Sequence, residues 1–310
     1  MPQADAILDA QLMTAFTIAA AQYPIEELAD WDAYVAKLTG WVERAAAGGA
    51  ALAVFPEYGA MELASLEPAT MSDLRGSIAT VSALLPQVDA LHSELAARHG
   101  LHILAASAPF QRADGRFVNR ARLFAPNGKV GVQDKLIMTR FEREEWGIHG
   151  GAPLRLFETA LGKIGITICY DSEFPLPARA LVEAGMELLL VPSCTEAALG
   201  YWRVRLGTQA RALEGQCYAV HSPTVGQADW SPAVDRNRGA AAVYGPPDRG
   251  FPDDGVVALG EMDAVQWVFA EVDLARVADL RADGGVLNAR HWTEQPGAEP
   301  LPPIELVDLR

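Results

Sequence analysis

Cysteine is scarce in this chain: Cys169, Cys194 and Cys217 are the only three in 310 residues. An odd count without close spacing argues against a disulfide framework and fits a reducing compartment, and no C-x-x-C pair is present to hold zinc. Basic charge is also short, with 25 Lys and Arg against 40 Asp and Glu and a net charge of −15. Binding to nucleic acid depends on cations that displace counterions from phosphates, so no nucleic-acid partner is expected, and no anionic membrane surface. Apolar runs such as 45–55 stop well short of the roughly 20 residues a membrane-spanning helix needs. The opening stretch MPQADAILDAQLMTAF contains Asp5 and Asp9 and has no basic segment ahead of an apolar core, so it does not read as a secretion signal; a cytoplasmic location is expected. Internal repeats, low-complexity tracts and dividing linkers are absent, and one domain over 1–310 is expected.

Half of the residues are apolar, and a chain of this length can bury a large core. Strand-like runs at 16–22, 51–55 and 101–106 alternate with helical patterns at 25–47 and 71–99, the second ending at Gly100 as a plausible C-cap. A hairpin is expected from 117–124 and 129–135 around the turn Ala125-Pro126-Asn127-Gly128. The charged, glycine-rich segment 136–152 has no period and reads as a working loop. Further strands are expected at 187–192, 216–221, 240–244 and 265–272, with a helix at 201–214. The proline-rich end, 294–310, is expected to run extended over the surface or over a partner subunit.

The organising stretch is 163–179, KIGITICYDSEFPLPAR, in which Ile164, Ile166 and Ile168 alternate as in a strand that ends at Cys169. Asp171 or Ser172 could cap a helix whose first turn holds Pro175. Free N–H groups and a helix dipole near the sulfur would favour the thiolate. Glu57 and Lys135 stand, like Cys169, at the exits of strand-like runs, and such exits converge on the ligand crevice of open α/β sheets. A carboxylate, a cation and a thiol together can perform acyl transfer: a base, an oxyanion partner and a nucleophile. Taken singly, each has a bland reading, as a buried cysteine or a surface charge. A Cys–His pairing through His149 or His221 is the competing arrangement. His92, His99 and His102 lack metal-ligand spacing, so no metal and no cofactor are expected. Cys194 stands at another strand exit, Cys217 reads as core, and Trp202, Arg211 and Glu214 fall on the 201–214 helix, where they could contact the sheet or a partner.

Pro56-Glu57-Tyr58, Asp134-Lys135 and ICYDSEFP at 168–175 resemble the three signature segments of the nitrilase superfamily of carbon–nitrogen hydrolases. QARALEGQCYAV at 209–220 and Asn119 ahead of the hairpin extend the resemblance over about 14–272, leaving 273–310 as a C-terminal extension. The resemblance implies an α/β fold, a four-layer α-β-β-α sandwich, pairing of subunits into a homodimer or larger homo-oligomer, and no cofactor. It implies Glu57 as base, Lys135 as oxyanion cation, Cys169 as nucleophile and the Tyr170 N–H as second oxyanion donor. It also implies a second glutamate in the loop. Of Glu142, Glu144 and Glu145, the spacing to Gly150-Gly151 selects Glu144. Tyr58, Tyr170 and Cys194 are the expected substrate contacts. The expected reaction is hydrolysis of a small linear amide through a thioester, with nitrile or N-carbamoyl (ureido) hydrolysis, or a non-catalytic binding role, as the alternatives. SEF at 172–174 departs from the basic residue many relatives have before Phe-Pro.

Overall fold

The computed structural model describes residues 15–296, 298 and 303–310. The expectation about the opening stretch lies outside these residues over 1–14. The chain begins with β1 (Ala15–Pro24), α1 (Trp31–Ala47), β2 (Ala50–Val54), α2 (Leu74–His99), β3 (His102–Gln111), β4 (Phe117–Phe124), β5 (Val130–Asp134) and the short β6 (Ile148–His149). It continues with β7 (Leu154–Thr159), β8 (Gly162–Ile166), α3 (Pro175–Glu183), β9 (Leu188–Ser193), α4 (Ala198–Gly215) and β10 (Tyr218–Gln227). Last come β11 (Arg236–Asn237), β12 (Ala242–Tyr244), β13 (Val256–Leu259), β14 (Gln266–Asp273), α5 (Leu274–Asp283), α6 (Asn288–His291) and β15 (Ile304–Asp308).

One sheet runs β14-β1-β2-β3-β4-β5, with β6 against β4; the other runs β13-β12-β10-β9-β8-β7-β15. They join where β1 and β10 pair at Tyr23 with Thr224 and Pro24 with Val225. Side chains alternate across a strand, and β1 displays the consequence. Ile18 and Ala20 face the core shared with the second sheet, whereas Ala19, Ala21 and Tyr23 face Tyr34, Leu38 and Trp41 of α1 and Val81, Leu85 and Val88 of α2. Val204 and Ala212 of α4 and Leu181 of α3 cover the second sheet. The result is a four-layer α-β-β-α sandwich.

Local chemistry sets the element ends. Helix α1 starts six residues later than its periodicity suggests, because the Asp30 side chain accepts from the Ala33 N–H at 2.8 Å and caps it. Helix α2 is capped by Asp73 and stops at Gly100, whose φ of 64° suits a residue without Cβ. The C-terminal part differs from expectation. Of the proline-rich end, 297 and 299–302 lie outside the described residues; Ile304–Asp308 runs extended and largely exposed, but as a parallel edge strand on β7, and Leu309 is buried. An open β7 edge would leave its N–H and C=O groups unpaired, and β15 satisfies them. Likewise α5, within the expected extension, buries Leu274, Val277 and Leu280. Among the described residues, no helix is long and apolar enough to cross a membrane.

Candidate active site

Three strand exits and one irregular loop meet at a single point. Glu57 follows β2 through Phe55 and Pro56, and the Pro56 carbonyl accepts from the Ser107 N–H at 3.0 Å. Ser107 sits in a register irregularity between β3 and β4, and its hydroxyl accepts from the Tyr58 N–H and donates to Asn119 Oδ1. Asn119 Nδ2 in turn donates to Glu57 Oε1 at 2.9 Å. Lys135 is set by the end of β5, where Arg120 of β4 clamps Asp134 with two bonds. The Gly151 N–H returns to the Lys135 carbonyl. A Cβ on Gly151 would lie 2.1 Å from Asp134 Cβ, so this close approach requires glycine.

Lys135 Nζ donates to Glu57 Oε1 at 2.8 Å and to Glu142 Oε2 at 2.6 Å, with all three side chains buried. The loop glutamate that meets the lysine is therefore Glu142, which corrects the expectation of Glu144. Glu144 is half-exposed and forms an ion pair with Arg140 one turn away, and Glu145 is exposed as well. The reason is local. Glu142 opens a single π-helical turn, Glu142–Trp146, and its carboxylate reaches back to the Thr139 N–H and hydroxyl, both at 2.9 Å. Its other oxygen accepts from Tyr58 Oη at 2.8 Å. Thr139-x-x-Glu142 has the spacing of a capping box, a signal in the sequence that points to Glu142 and that glycine spacing misses. Trp146, also missed, is buried against Tyr58 and Phe141.

Cys169 lies past the end of β8, in the 3₁₀ turn Cys169–Glu173, with φ of 50°. A side chain other than glycine in that left-handed region costs about 1–2 kcal/mol. The strain turns the thiol toward the chamber. Two bonds hold the turn: Ser172 Oγ donates to the Cys169 carbonyl at 2.7 Å, and Arg211 of α4 donates to the Ser172 carbonyl at 3.1 Å. Neither Asp171 nor Ser172 caps α3; Phe174 occupies that place without a side-chain bond, and Pro175 opens the helix. Asp171 instead accepts from the N–H groups of Leu136, Ile137 and Ile168, tying the lysine loop to the cysteine strand. Asp171→Ala strands those donors and is expected to cost at least about 1–3 kcal/mol, read from the midpoint of urea unfolding.

Cys194, after β9, contributes backbone. Its N–H donates to Glu57 Oε2 at 2.9 Å, and its carbonyl oxygen lies 3.9 Å from Cys169 Sγ. Glu57, Tyr58, Lys135, Glu142 and Trp146 line a chamber of about 80 Å³. The chamber shares Cys169, Cys194, Phe141 and Val234 with an outer cavity of about 600 Å³, walled by Tyr170, Glu173, Leu199, Arg203, Asp235 and Arg236. Of the expected substrate contacts, Tyr170 faces the outer cavity, Cys194 both spaces, and Tyr58 the chamber, with its hydroxyl bonded to Glu142. His149 is exposed and His221 is buried against Ser193; neither lines the chamber or the outer cavity, so the Cys–His arrangement is not assembled. Cys217 is core. Trp202 on α4 is exposed. Among the described residues, no cluster of His, Cys, Asp or Glu is arranged to hold a metal.

Burial is the largest influence on Glu57, Glu142, Lys135 and Cys169, and the partners decide the rest. Burial raises the Glu57 carboxyl above its usual range, with Lys135 only partly offsetting it. For Glu142 burial acts the same way, but Lys135 together with the Thr139 and Tyr58 bonds outweighs it and lowers the carboxyl. Two carboxylates on one lysine are thus pushed apart, one toward holding a proton and one toward remaining charged. Lys135 stays cationic, because Glu142 and Glu57 overcome its burial. The Cys169 thiol is raised well above its usual value by burial and by Glu57. The thiolate expected from the helix end is therefore not favoured: α3 begins beyond the turn, and the sulfur is almost wholly buried.

Glu142→Gln keeps the shape but removes the charge that holds Lys135, and is expected to lower kcat by about 10²-fold, whereas Glu144→Ala should change kcat less than about twofold. Steady-state kinetics of the two variants side by side distinguish them.

The carbon–nitrogen hydrolase family model matches residues 17–281. "Probable hydrolase YhcX" of Bacillus subtilis is 32% identical over 269 residues, which take in 87% of this chain and 52% of that protein. The chain thus spans about half the length of that relative. "Omega-amidase NIT2-B" of Xenopus laevis is 28% identical over 200 residues, 62% of this chain and 68% of that protein. Among solved structures, Nit3 of Saccharomyces cerevisiae, a member of branch 10 of the nitrilase superfamily, superposes with a TM-score of 0.69 at 20% identity, covering 87% of this chain and 94% of that one. With a matching family model over most of its length and the four-layer sandwich in place, the chain belongs to the carbon–nitrogen hydrolase family.

Proposed function

We propose that the chain hydrolyses the C–N bond of a small linear amide through a Cys169 thioester, with Glu57 as proton carrier and Lys135 as oxyanion cation. The single observation that supports this most is Lys135, held between Glu57 and Glu142 at the foot of a chamber that Cys169 opens to the outer cavity. In this reading the acyl group occupies the outer cavity, and the amide nitrogen and oxygen point inward, toward Glu57 and Lys135. Glu57 accepts the thiol proton as Sγ bonds to the carbonyl carbon. The oxyanion forms against Lys135 Nζ and the Tyr170 N–H, which stands in the first turn where helical N–H groups have no acceptor of their own. Glu57 returns the proton to the leaving nitrogen, and ammonia or an amine departs. Glu57 then takes a proton from water as hydroxide adds to the thioester, the C–S bond breaks, and Glu57 returns the proton to sulfur, so that the acid and the free thiol are released. Glu142 keeps its charge throughout and keeps Lys135 aimed.

Protonated Glu57 cannot take the thiol proton. Turnover should therefore fall as pH drops through the Glu57 pKa, along a limb lying above the ordinary carboxylate value of about 4.5. A kcat/KM profile reads it. The functional reading itself is tested by ammonia release from a panel of small amides, ureido acids and nitriles. Release from amides alone supports it; release only from nitriles, or with carbon dioxide from ureido acids, replaces it with the corresponding hydrolase. Slow labelling of Cys169 together with no turnover favours a binding role.

Assembly as a homodimer is part of the proposal. Leu199, Trp202, Leu206 and Leu213 form an exposed apolar stripe along α4, and a second copy could cover it. Trp202→Glu with Leu206→Glu should leave a monomer in sedimentation. Three free thiols fit a reducing, cytoplasmic setting.

A further inference from the structure

Strands β9 and β10 are paired to the end of β9, but there the backbones cannot bond fully. The register sets Ser222 opposite Pro192 and Pro223 opposite Ser193, and neither proline has an N–H for the ladder. Two buried side chains meet at this place. Ser193 Oγ lies 2.7 Å from His221 Nε2, and neither residue has exposed surface. The imidazole is stacked on Tyr201 of α4, with ring centroids 5.8 Å apart and planes 15° from parallel. Its Nδ1 has no partner among the described residues, so the Ser193 bond is the ring's hydrogen-bonded anchor there. Burial, then Arg205, keeps the ring neutral, with a pKa of about 3. Next to Ser193 stands Cys194, whose N–H holds Glu57 Oε2 and whose carbonyl touches the Cys169 sulfur.

We propose that the Ser193–His221 pair is a positioning device for the reaction, holding the exit of β9 so that the Cys194 backbone stays on both Glu57 and Cys169. This rests on the proposed roles of those two residues. Lys135 from the β5 exit, Glu142 from the π-helical turn, Tyr58, Cys169 and Cys194 face Glu57, while Tyr201 and Arg205 face His221. Of the groups around Glu57, only the Cys194 backbone continues directly from the serine. When the pair is lost, the Cys194 N–H can withdraw, and a carboxylate that loses a donor holds its proton to higher pH.

The test compares wild type, Ser193→Ala, His221→Leu, the double variant and Ser193→Thr in the full chain. Alkylation of Cys169 by iodoacetamide is followed by mass from about pH 4 to pH 9, together with kinetics on a small primary amide that wild type hydrolyses. Each single variant is expected to lower kcat about tenfold with KM within about twofold, and to move the acid limb of alkylation upward by about half a unit to one unit. The double variant should be no slower than the slower single, and Ser193→Thr, which keeps the hydroxyl, should recover to within about threefold of wild type. If melting temperature falls while kcat and the alkylation limb stay put, the pair only packs and the proposal fails. It fails equally if nothing changes. If wild type turns over no amide but the limb moves as expected, the positioning stands and the amidase reading falls.

Discussion

Cys169→Ala is expected to abolish amide hydrolysis, with a loss of about 10⁴-fold or more, the scale seen when a covalent nucleophile is removed from a preorganised site. Cys169→Ser should be nearly as inactive. A buried hydroxyl is harder to deprotonate than a thiol, and a carboxylate such as Glu57 is a weak base for it. Incubating wild type with an amide and quenching in acid should yield a protein heavier by the acyl group, and neither variant should form it. The backbone supplies a separate check. Cys169 has a φ of 50°, so Cys169→Gly should be more stable than Cys169→Ala by about 1 kcal/mol while equally inactive. Equal stability would mean that the left-handed turn stores no strain, and full activity in the alanine variant would remove the thiol from the mechanism.

Lys135→Ala is expected to have the second-largest effect, and it acts on both rate and stability. Removal of one oxyanion donor costs about 2.7–4 kcal/mol of transition-state stabilisation, or about 10²–10³-fold in kcat. In addition, Glu57 and Glu142, both buried, lose the cation between them. Breaking a buried ion pair from one side costs about 3–5 kcal/mol. Without the lysine both carboxyls hold protons to higher pH in the folded state than in the unfolded chain. The extra stability from those protons is present below about pH 4.5 and is lost as pH rises through the raised pKa values, so the deficit against wild type should widen with pH. Urea unfolding at several pH values reads this directly. A deficit that does not depend on pH would show that the two glutamates do not share Lys135 as their counterion.

Much of this site was legible in the sequence because local chemistry marks it. Pro56 after an apolar run, the turn Ala125-Pro126-Asn127-Gly128 and the alternating isoleucines ending at Cys169 each announce a strand and its exit, and the order of the three motifs points to one family. Glu142 was only half legible. It lies among Glu144 and Glu145 in a loop without period, and what separates them is a backward reach to Thr139 over a single π-helical turn, which no hydrophobic pattern records. The environment of the Cys169 sulfur is hidden from the sequence for a related reason. A nearby helix start suggests a thiolate, but burial by elements distant in sequence governs the sulfur, and α3 begins only at Pro175.

From the sequence alone came the α/β class, the Glu57, Lys135 and Cys169 positions at strand exits, and the excess of acidic over basic residues. Each depends on residues adjacent in the chain or on summed charge, which need no knowledge of distant contacts. Only the tertiary structure decided that Lys135 sits between two carboxylates of opposite pKa tendency, that Cys194 contributes its backbone rather than its thiol to Glu57, and that the chain's end pairs with β7. Those outcomes depend on sheet register and burial, which bring together groups 78, 137 and about 150 residues apart; desolvation there is set by everything packed around a group, and no stretch of sequence contains that information by itself.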